Sequence, residues 1–147
     1  MSSSAEHGIA VDAASFLRER EIVLHTELLA EPEAFGFILV HELFHFVWRR
    51  LGNRRRAEFS ALILQERVAH ARGELGDSSA FKKQRVADSD RLRNSVAWRD
   101  YICESFCDTA AWLYADRQSD ASFTLARRWQ NRRADWFRAA FKAGCTC

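Results

Sequence analysis

Apolar residues recur at helical spacing along most of this chain, which predicts a largely helical protein. The first long helix is predicted to begin at Glu31-Pro32-Glu33, because Pro is favoured in a first turn and acids suit the positive helix end. It should run to Arg49-Arg50, whose charges suit a C-terminus. The other predicted helices cover residues 55–73, residues 97–116, and the segment from the S-D-A-S cap at 119–122 to about Lys142. The polar stretch 79–96 carries only a weak helical pattern.

The N-terminal part of the chain carries the one clear strand signal. The sequence "EIVLHT" at 21–26 is rich in β-branched residues and predicts a strand, and a short helix is predicted before it over 9–19. Residues 1–8 are predicted to be disordered and 143–147 to form a flexible, Cys-containing tail. Residues 9–142 should then form a single domain.

Composition agrees with a mainly α (α+β) fold in which a small sheet or hairpin packs against the helix at 31–50. The 147 residues are enough for one hydrophobic core, and 48% of them are hydrophobic. One Pro and six Gly are too few for an all-β fold with many tight turns.

Charge and hydropathy limit the partners. The net charge is only +2, which does not favour nucleic acid as a partner. Two arginine clusters, at 49–56 and 127–133, are expected to be solvated helix ends and faces. The apolar run at 34–48 is too short, and too interrupted by polar residues, to span a bilayer. No signal peptide is recognisable at the N-terminus, so a cytoplasmic location without membrane association is expected.

A cytoplasmic location predicts that the four cysteines are thiols. Cys103 and Cys107 lie four residues apart on a predicted helix, a spacing that suits a disulfide poorly. Cys145 and Cys147 form a C-x-C pair in the predicted tail, which could bind a metal or be oxidised.

The apolar helix at 31–50 contains the motif H-E-x-x-H at His41, Glu42 and His45. Two histidines four residues apart project from one helix face and can hold one divalent metal ion, with the glutamate as general base. A shuffled chain of this composition would contain the motif about once in a hundred cases. Buried imidazoles and a carboxylate need a partner, and a cation supplies one. The alternative is a pair of core histidines with Glu42 bonded to an arginine.

A catalytic zinc site needs a third protein ligand and an open position for water. The side chains that could supply the ligand are His70, Glu66, Glu104, Asp108, Cys103 and Cys107. The segment "CESFCDTAAWLY" at 103–114 is the most persuasive, because Glu104 and Asp108 are again four apart on a helix. One carboxylate could bind the metal while the other orients a ligand histidine.

These motifs resemble the ImmA/IrrE-like metallopeptidases, which belong to the gluzincin type of HExxH zinc peptidase. In that family a strand precedes the active-site helix and a downstream E-x-x-A-[ND] element supplies the third ligand, as "ESFCD" at 104–108 would here. The resemblance covers about 20–50 and 100–115 and implies a zincin-like helical domain. Phe44 stands where the family often has glycine, and Cys107 where it usually has alanine.

The resemblance implies His41, His45 and Glu104 as Zn²⁺ ligands, Glu42 as general base and Asp108 as the partner of a ligand histidine. Tyr101, three residues before Glu104, is one candidate to stabilise the oxyanion, beside His70 and Arg99. The expected activity is hydrolysis of peptide bonds in a peptide or protein substrate. The alternative from another class is a catalytically inactive, zincin-like binding or regulatory module whose metal is structural or absent.

Overall fold

A computed structural model describes residues 13–16, 21–24, 26–117 and 119–142; for 13–16 and residue 28 it gives the backbone alone. Within these ranges the chain forms a two-stranded antiparallel sheet and six α-helices. The strands are β1 (Ala13–Phe16) and β2 (Glu21–Leu24), and the helices are α1 (Pro32–Arg50), α2 (Asn53–Val68), α3 (Asp77–Arg85), α4 (Asp88–Arg93), α5 (Val96–Tyr114) and α6 (Arg127–Ala140). Both strands contact α1. The predicted mainly α fold with a small hairpin against this helix is confirmed.

The hairpin corrects the prediction for the N-terminal part. The helix predicted over 9–19 is wrong, because Ala13–Phe16 forms β1 and pairs with β2 in a register that sets Ala13 opposite Leu24. Pairing with a neighbouring strand outweighs a weak local helical preference. The predicted strand at 21–26 ends at Leu24, and Thr26–Ala30 forms a 3-10 turn that leads into α1.

Two expectations concern parts of the chain that the structure does not describe. The disordered segment predicted at 1–8 and the flexible tail predicted at 143–147 both lie outside the described residues, and so do Cys145 and Cys147.

Helix α5 is the centre of the fold, because it contacts each of the other five helices. Its first turn is capped by Ser95, whose hydroxyl accepts a hydrogen bond from the Trp98 backbone N–H at 3.2 Å. The small residues Ala110 and Ala111 are fully buried along it. This helix can therefore pack closely against its neighbours along much of its length.

Helix α1 packs along α5 and has the ends that its sequence predicts, with Pro32 in the first turn and arginines in the last. Its burial is more one-sided than the apolar sequence indicates. Phe37, His41 and Glu42 are buried, whereas Leu43 is 45% exposed. The polar residues of the motif thus face inward although an apolar neighbour faces outward.

Two other helices have different ends from those predicted. Helix α2 ends at Val68, and His70 has a left-handed φ of 57° that no α-helix continues through. Helix α6 begins only at Arg127. Asp120 instead closes a local turn, in which its Oδ1 accepts hydrogen bonds from the backbone N–H and hydroxyl of Ser122.

An aromatic core holds α2, α5 and α6 together. Phe59, Phe106 and Phe137 are completely buried, and the rings of Phe106 and Phe137 stack with centroids 5.1 Å apart. Trp136 adds edge contacts to both of these phenylalanines. Within the described part of the chain, no helix combines the length and the apolar character that crossing a bilayer requires.

Candidate metal centre

The facing sides of α1 and α5 bring three potential ligands together. His41 Nε2 lies 3.3 Å from His45 Nε2 and 3.0 Å from Glu104 Oε2. The other carboxylate oxygen, Glu104 Oε1, lies 3.6 Å from His45 Nε2. Sequence spacing placed the two histidines on one face of α1, and the packing of α1 on α5 adds the carboxylate.

These separations suit a shared metal ion. Atoms bound to zinc at about 2.0–2.1 Å in a tetrahedral arrangement lie about 3.3 Å from one another. Glu104 Oε2 is buried and accepts no hydrogen bond within the described part of the chain, although it lies beside His41. A buried carboxylate oxygen without a hydrogen bond is costly unless a cation satisfies it. The residues present therefore fit a zinc ion.

Asp108 lies on the outer side of His41. The His41 Nδ1–H donates a hydrogen bond to Asp108 Oδ1 at 2.7 Å. Because the proton then sits on Nδ1, the lone pair of Nε2 is directed towards His45 and Glu104, as a ligand nitrogen requires. Asp108 is only 1% exposed, so it must itself be held by protein groups.

The beginning of α3 holds Asp108. Ser79 donates hydrogen bonds to Asp108 Oδ2 from its backbone N–H at 2.9 Å and from its hydroxyl at 2.7 Å. Backbone N–H groups in a first helical turn have no partner within the helix, so they stabilise a carboxylate well. Sequence reasoning did not find Ser79, because no local pattern links it to a residue 29 positions later.

Gly76 permits this contact through its lack of a side chain. A Cβ at Gly76 would lie 2.4 Å from the carboxyl carbon and from Oδ2 of Asp108, closer than two such atoms can approach. The φ of Gly76 is 167°, ordinary extended backbone, so glycine is required here for space alone.

Two thiols of α5 border the same cluster. Cys103 and Cys107 are free, as predicted. Cys103 Sγ lies 3.5 Å from His45 Nδ1, and the Cys107 sulfur and one ring nitrogen of each histidine lie within 4.8 Å of one another. A hydrogen bond from Cys107, together with His45, lowers the pKa of the Cys103 thiol to about 6, although burial raises it.

The titratable groups of the cluster strongly shift one another's pKa values. Burial lowers the pKa of His41, but Asp108 and Glu104 more than offset it and hold this pKa well above its usual value. Burial raises the pKa of Glu104, whereas the close contact with His41 and the charges of both histidines lower it to about 2. Strongly perturbed pKa values of this kind cluster at functional sites.

Glu42 follows His41 on α1 and is buried, with 8% of its surface exposed. The cluster remains open on one side, since the side chains of His45 and Glu104 keep 18% and 20% of their surface exposed. The His41 side chain keeps only 7%. A closed structural metal site would need no such opening, whereas a catalytic one does.

Tyr101 makes a contact that does not suit the oxyanion-stabilising role expected of it. Its hydroxyl donates a hydrogen bond of 2.5 Å to Glu74 Oε2, and burial raises the pKa of the phenol well above its usual value. The expectation that Tyr101 stabilises an oxyanion is therefore corrected, because another buried carboxylate takes up the hydroxyl. Arg99, the other candidate on α5, is exposed.

Two alternative ligands also lie elsewhere. Glu66 pairs with the guanidinium of Arg133 at 2.7 and 2.8 Å in a buried cluster that also contains Glu74. His70 is exposed beyond the end of α2. Neither is among the groups that the structure brings to His41.

The arginine clusters are mostly engaged within the fold. Arg54 and Arg55 pair with Glu58, and Arg56 donates to the carbonyl oxygens of Trp48 and Arg49 at the end of α1. Arg133 of the second cluster is completely buried. The expectation of solvated helix ends and faces suits Arg54, whose side chain is 85% exposed. It is wrong for Arg133, because this guanidinium pairs with the buried carboxylates of Glu66 and Glu74.

No protein-family model matches the chain, and no match to it was found among the curated proteins or the solved structures.

Proposed function

We propose that this protein is a zinc-dependent metallopeptidase that hydrolyses peptide bonds, with His41, His45 and Glu104 as ligands and Glu42 as general base. The observation that carries the proposal is the convergence of three ligand side chains, whose nitrogen and oxygen atoms lie 3.0–3.6 Å apart, close to the separations in a tetrahedral zinc site. The likeness of the two motifs to the ImmA/IrrE-like peptidases, together with the open side of the cluster, supports a catalytic role.

A bound zinc ion would supply Lewis acidity and would lower the pKa of a water molecule from about 15.7 towards 7. Asp108 keeps the His41 proton on Nδ1 and so presents Nε2 as a ligand. Glu42 follows His41 directly on α1, and its role is to accept the proton of the attacking water and pass it to the leaving amine. The His45 and Glu104 side chains keep 18% and 20% of their surface exposed, and a peptide substrate would approach the metal from there.

Glu42→Gln tests this role, because glutamine has nearly the same size as glutamate but cannot act as a base. We expect the variant to bind zinc as tightly as the wild type and to lose about 10²–10⁴-fold in kcat. Zinc content is measured by atomic absorption, and activity by cleavage of fluorescently labelled, unfolded casein.

Glu33→Gln is the matched control, since Glu33 lies exposed in the first turn of the same helix and should leave activity unchanged. His45→Ala should abolish zinc binding and activity together. If Glu42→Gln cleaves the substrate at the wild-type rate with equal zinc content, Glu42 is not the base. If the wild type binds zinc and cleaves neither casein nor a random peptide library, the peptidase proposal is wrong and a binding module is favoured.

A further inference from the structure

The two histidines of the cluster are held alike. Their Nε2 atoms face each other at 3.3 Å, so each ring turns its Nδ1 away from the shared point. His41 Nδ1 meets Asp108 at 2.7 Å, and His45 Nδ1 meets Cys103 Sγ at 3.5 Å. Cys103 therefore occupies, relative to His45, the place that Asp108 occupies relative to His41.

We propose that Cys103 is a positioning residue for His45, whose Nδ1–H donates to the sulfur so that the Nε2 lone pair faces the metal. The inference rests on the metal site of the proposed function. The two nitrogens of an imidazole point in divergent directions, so a group bonded to Nδ1 lies outside the coordination sphere when Nε2 is the ligand. Cys103 thus acts through His45 and is not itself a ligand.

The surroundings of Cys103 fix the sulfur in this place. Cys103 lies on α5, one residue before Glu104, so the same rigid helix carries both a ligand and the partner of another ligand. Cys107, one turn further along, is completely buried. The helix backbone and the contact with His45 together set the place of the Cys103 sulfur.

The experiment measures zinc affinity by competition with a chromophoric chelator. All variants also carry Cys145→Ser and Cys147→Ser, so that these cysteines bind no zinc. Cys103→Ala and Cys103→Val lack an acceptor for the His45 N–H and should bind zinc about 10–100-fold more weakly. Cys103→Ser keeps an acceptor and should recover most of the affinity. If Cys103→Ala fails to fold, the comparison of Cys103→Val with Cys103→Ser still tests the proposal.

Two further readouts separate positioning from packing and from ligation. Cys107→Ala removes a buried thiol from the same helix without removing the His45 contact, so it should reduce affinity less than Cys103→Ala. Cobalt(II) in the wild-type protein should show no thiolate-to-cobalt charge-transfer band that depends on Cys103. Three results would overturn the proposal: wild-type affinity in Cys103→Ala and Cys103→Val, an equal loss in Cys107→Ala, or a charge-transfer band that Cys103→Ala abolishes.

These measurements are independent of the peptidase assay. Weaker zinc binding by Cys103→Val, with recovery in Cys103→Ser, would support the positioning role even in a protein that cleaves no peptide. A wild-type protein that binds no zinc at all would overturn both proposals.

Discussion

At the scale of single residues, both carboxylate oxygens of the buried Asp108 accept hydrogen bonds. Its Oδ1 accepts from His41, and its Oδ2 accepts twice from Ser79. Each bond restrains the carboxylate, and the carboxylate restrains the imidazole. A ligand histidine held in one tautomer and one orientation loses little freedom when a metal binds.

Asp108→Asn should weaken zinc binding about 10–100-fold, because the amide lacks the charge that strengthens the bond to His41. Its NH₂ group must also face either the Nδ1–H of His41 or the donors of Ser79. Chelator competition measures the affinity. Asp100→Asn, at an exposed position on the same helix, is the control and should bind zinc like the wild type. Equal affinities for Asp108→Asn and Asp100→Asn would contradict the role of Asp108.

At the scale of elements, the site depends on how closely the segment before α3 approaches α5. The contact at Gly76 leaves no room for a Cβ. Gly73 is needed for its backbone, with φ at 85° and Thr124 packed against it. The hairpin and the 3-10 turn pack against α1, and α1 packs against α5. Two separate pieces of chain, α1 and the segment that begins α3, must therefore meet α5 correctly for the cluster to form.

Gly76→Ala should displace Asp108 and destabilise the fold by about 1–3 kcal/mol, as other overpacked core substitutions do. Gly36→Ala is the matched control, since a Cβ there meets nothing within 4 Å and the site is inside α1. It should stabilise the protein by about 0.5–1 kcal/mol through helix propensity. Guanidinium unfolding monitored by circular dichroism compares them, and a Gly76→Ala variant as stable as the wild type would refute the close contact.

At the scale of the whole molecule, Arg133 joins distant parts of the chain in a fully buried ion cluster. Its guanidinium makes five hydrogen bonds of 2.7–3.1 Å, to Glu66 of α2, to Glu74 before α3 and to Thr109 of α5. Five is also the number of N–H donors in a guanidinium, so every one is satisfied. This cluster fixes α6 against the segment that leads to Gly76.

Arg133→Met should destabilise the protein by about 3–5 kcal/mol at neutral pH, because it leaves two buried carboxylates without their cation. Arg138→Met removes an exposed partner of Asp135 on the same helix and should have little effect. The free energy of unfolding from guanidinium titration checks both expectations. A loss no larger than that of Arg138→Met would mean that the cluster contributes nothing to stability.

The difference in stability between the wild type and Arg133→Met should also depend on pH, in a direction that follows from the pKa of Glu74. Burial raises the pKa of Glu74, but the charge of Arg133 more than offsets it and the pKa lies below its ordinary value. The stabilisation from Glu74 is therefore present above its unfolded pKa of about 4.3 and is lost as pH falls through the folded value. Without the guanidinium, burial should raise this pKa, and protonation would then relieve the variant. The stability gap between wild type and Arg133→Met should narrow from pH 7 to about pH 4; a wider gap at low pH would contradict this assignment.

Local patterns predicted the parts of this protein that local physics controls. Helix α1, with Pro32 at its start and arginines at its end, follows directly from the sequence. So does the common face of His41 and His45, since residues four apart on a helix are neighbours. The spacing of Glu104 and Asp108 also indicated that one of these carboxylates would orient a ligand histidine, and the family resemblance implied that it is Asp108, which bonds His41.

Contacts between distant segments decided the rest. The strand at Ala13–Phe16 exists because β2 pairs with it, and Tyr101 turned to Glu74 because a carboxylate from another segment lies within reach of its hydroxyl. Ser79 and Gly76 have no sequence signal, since their role arises only where α3 begins against α5. The sequence by itself thus determined which side chains share a helix face, because helical spacing is local. The tertiary structure decided which faces meet, because that depends on how all the helices bury their apolar surface together.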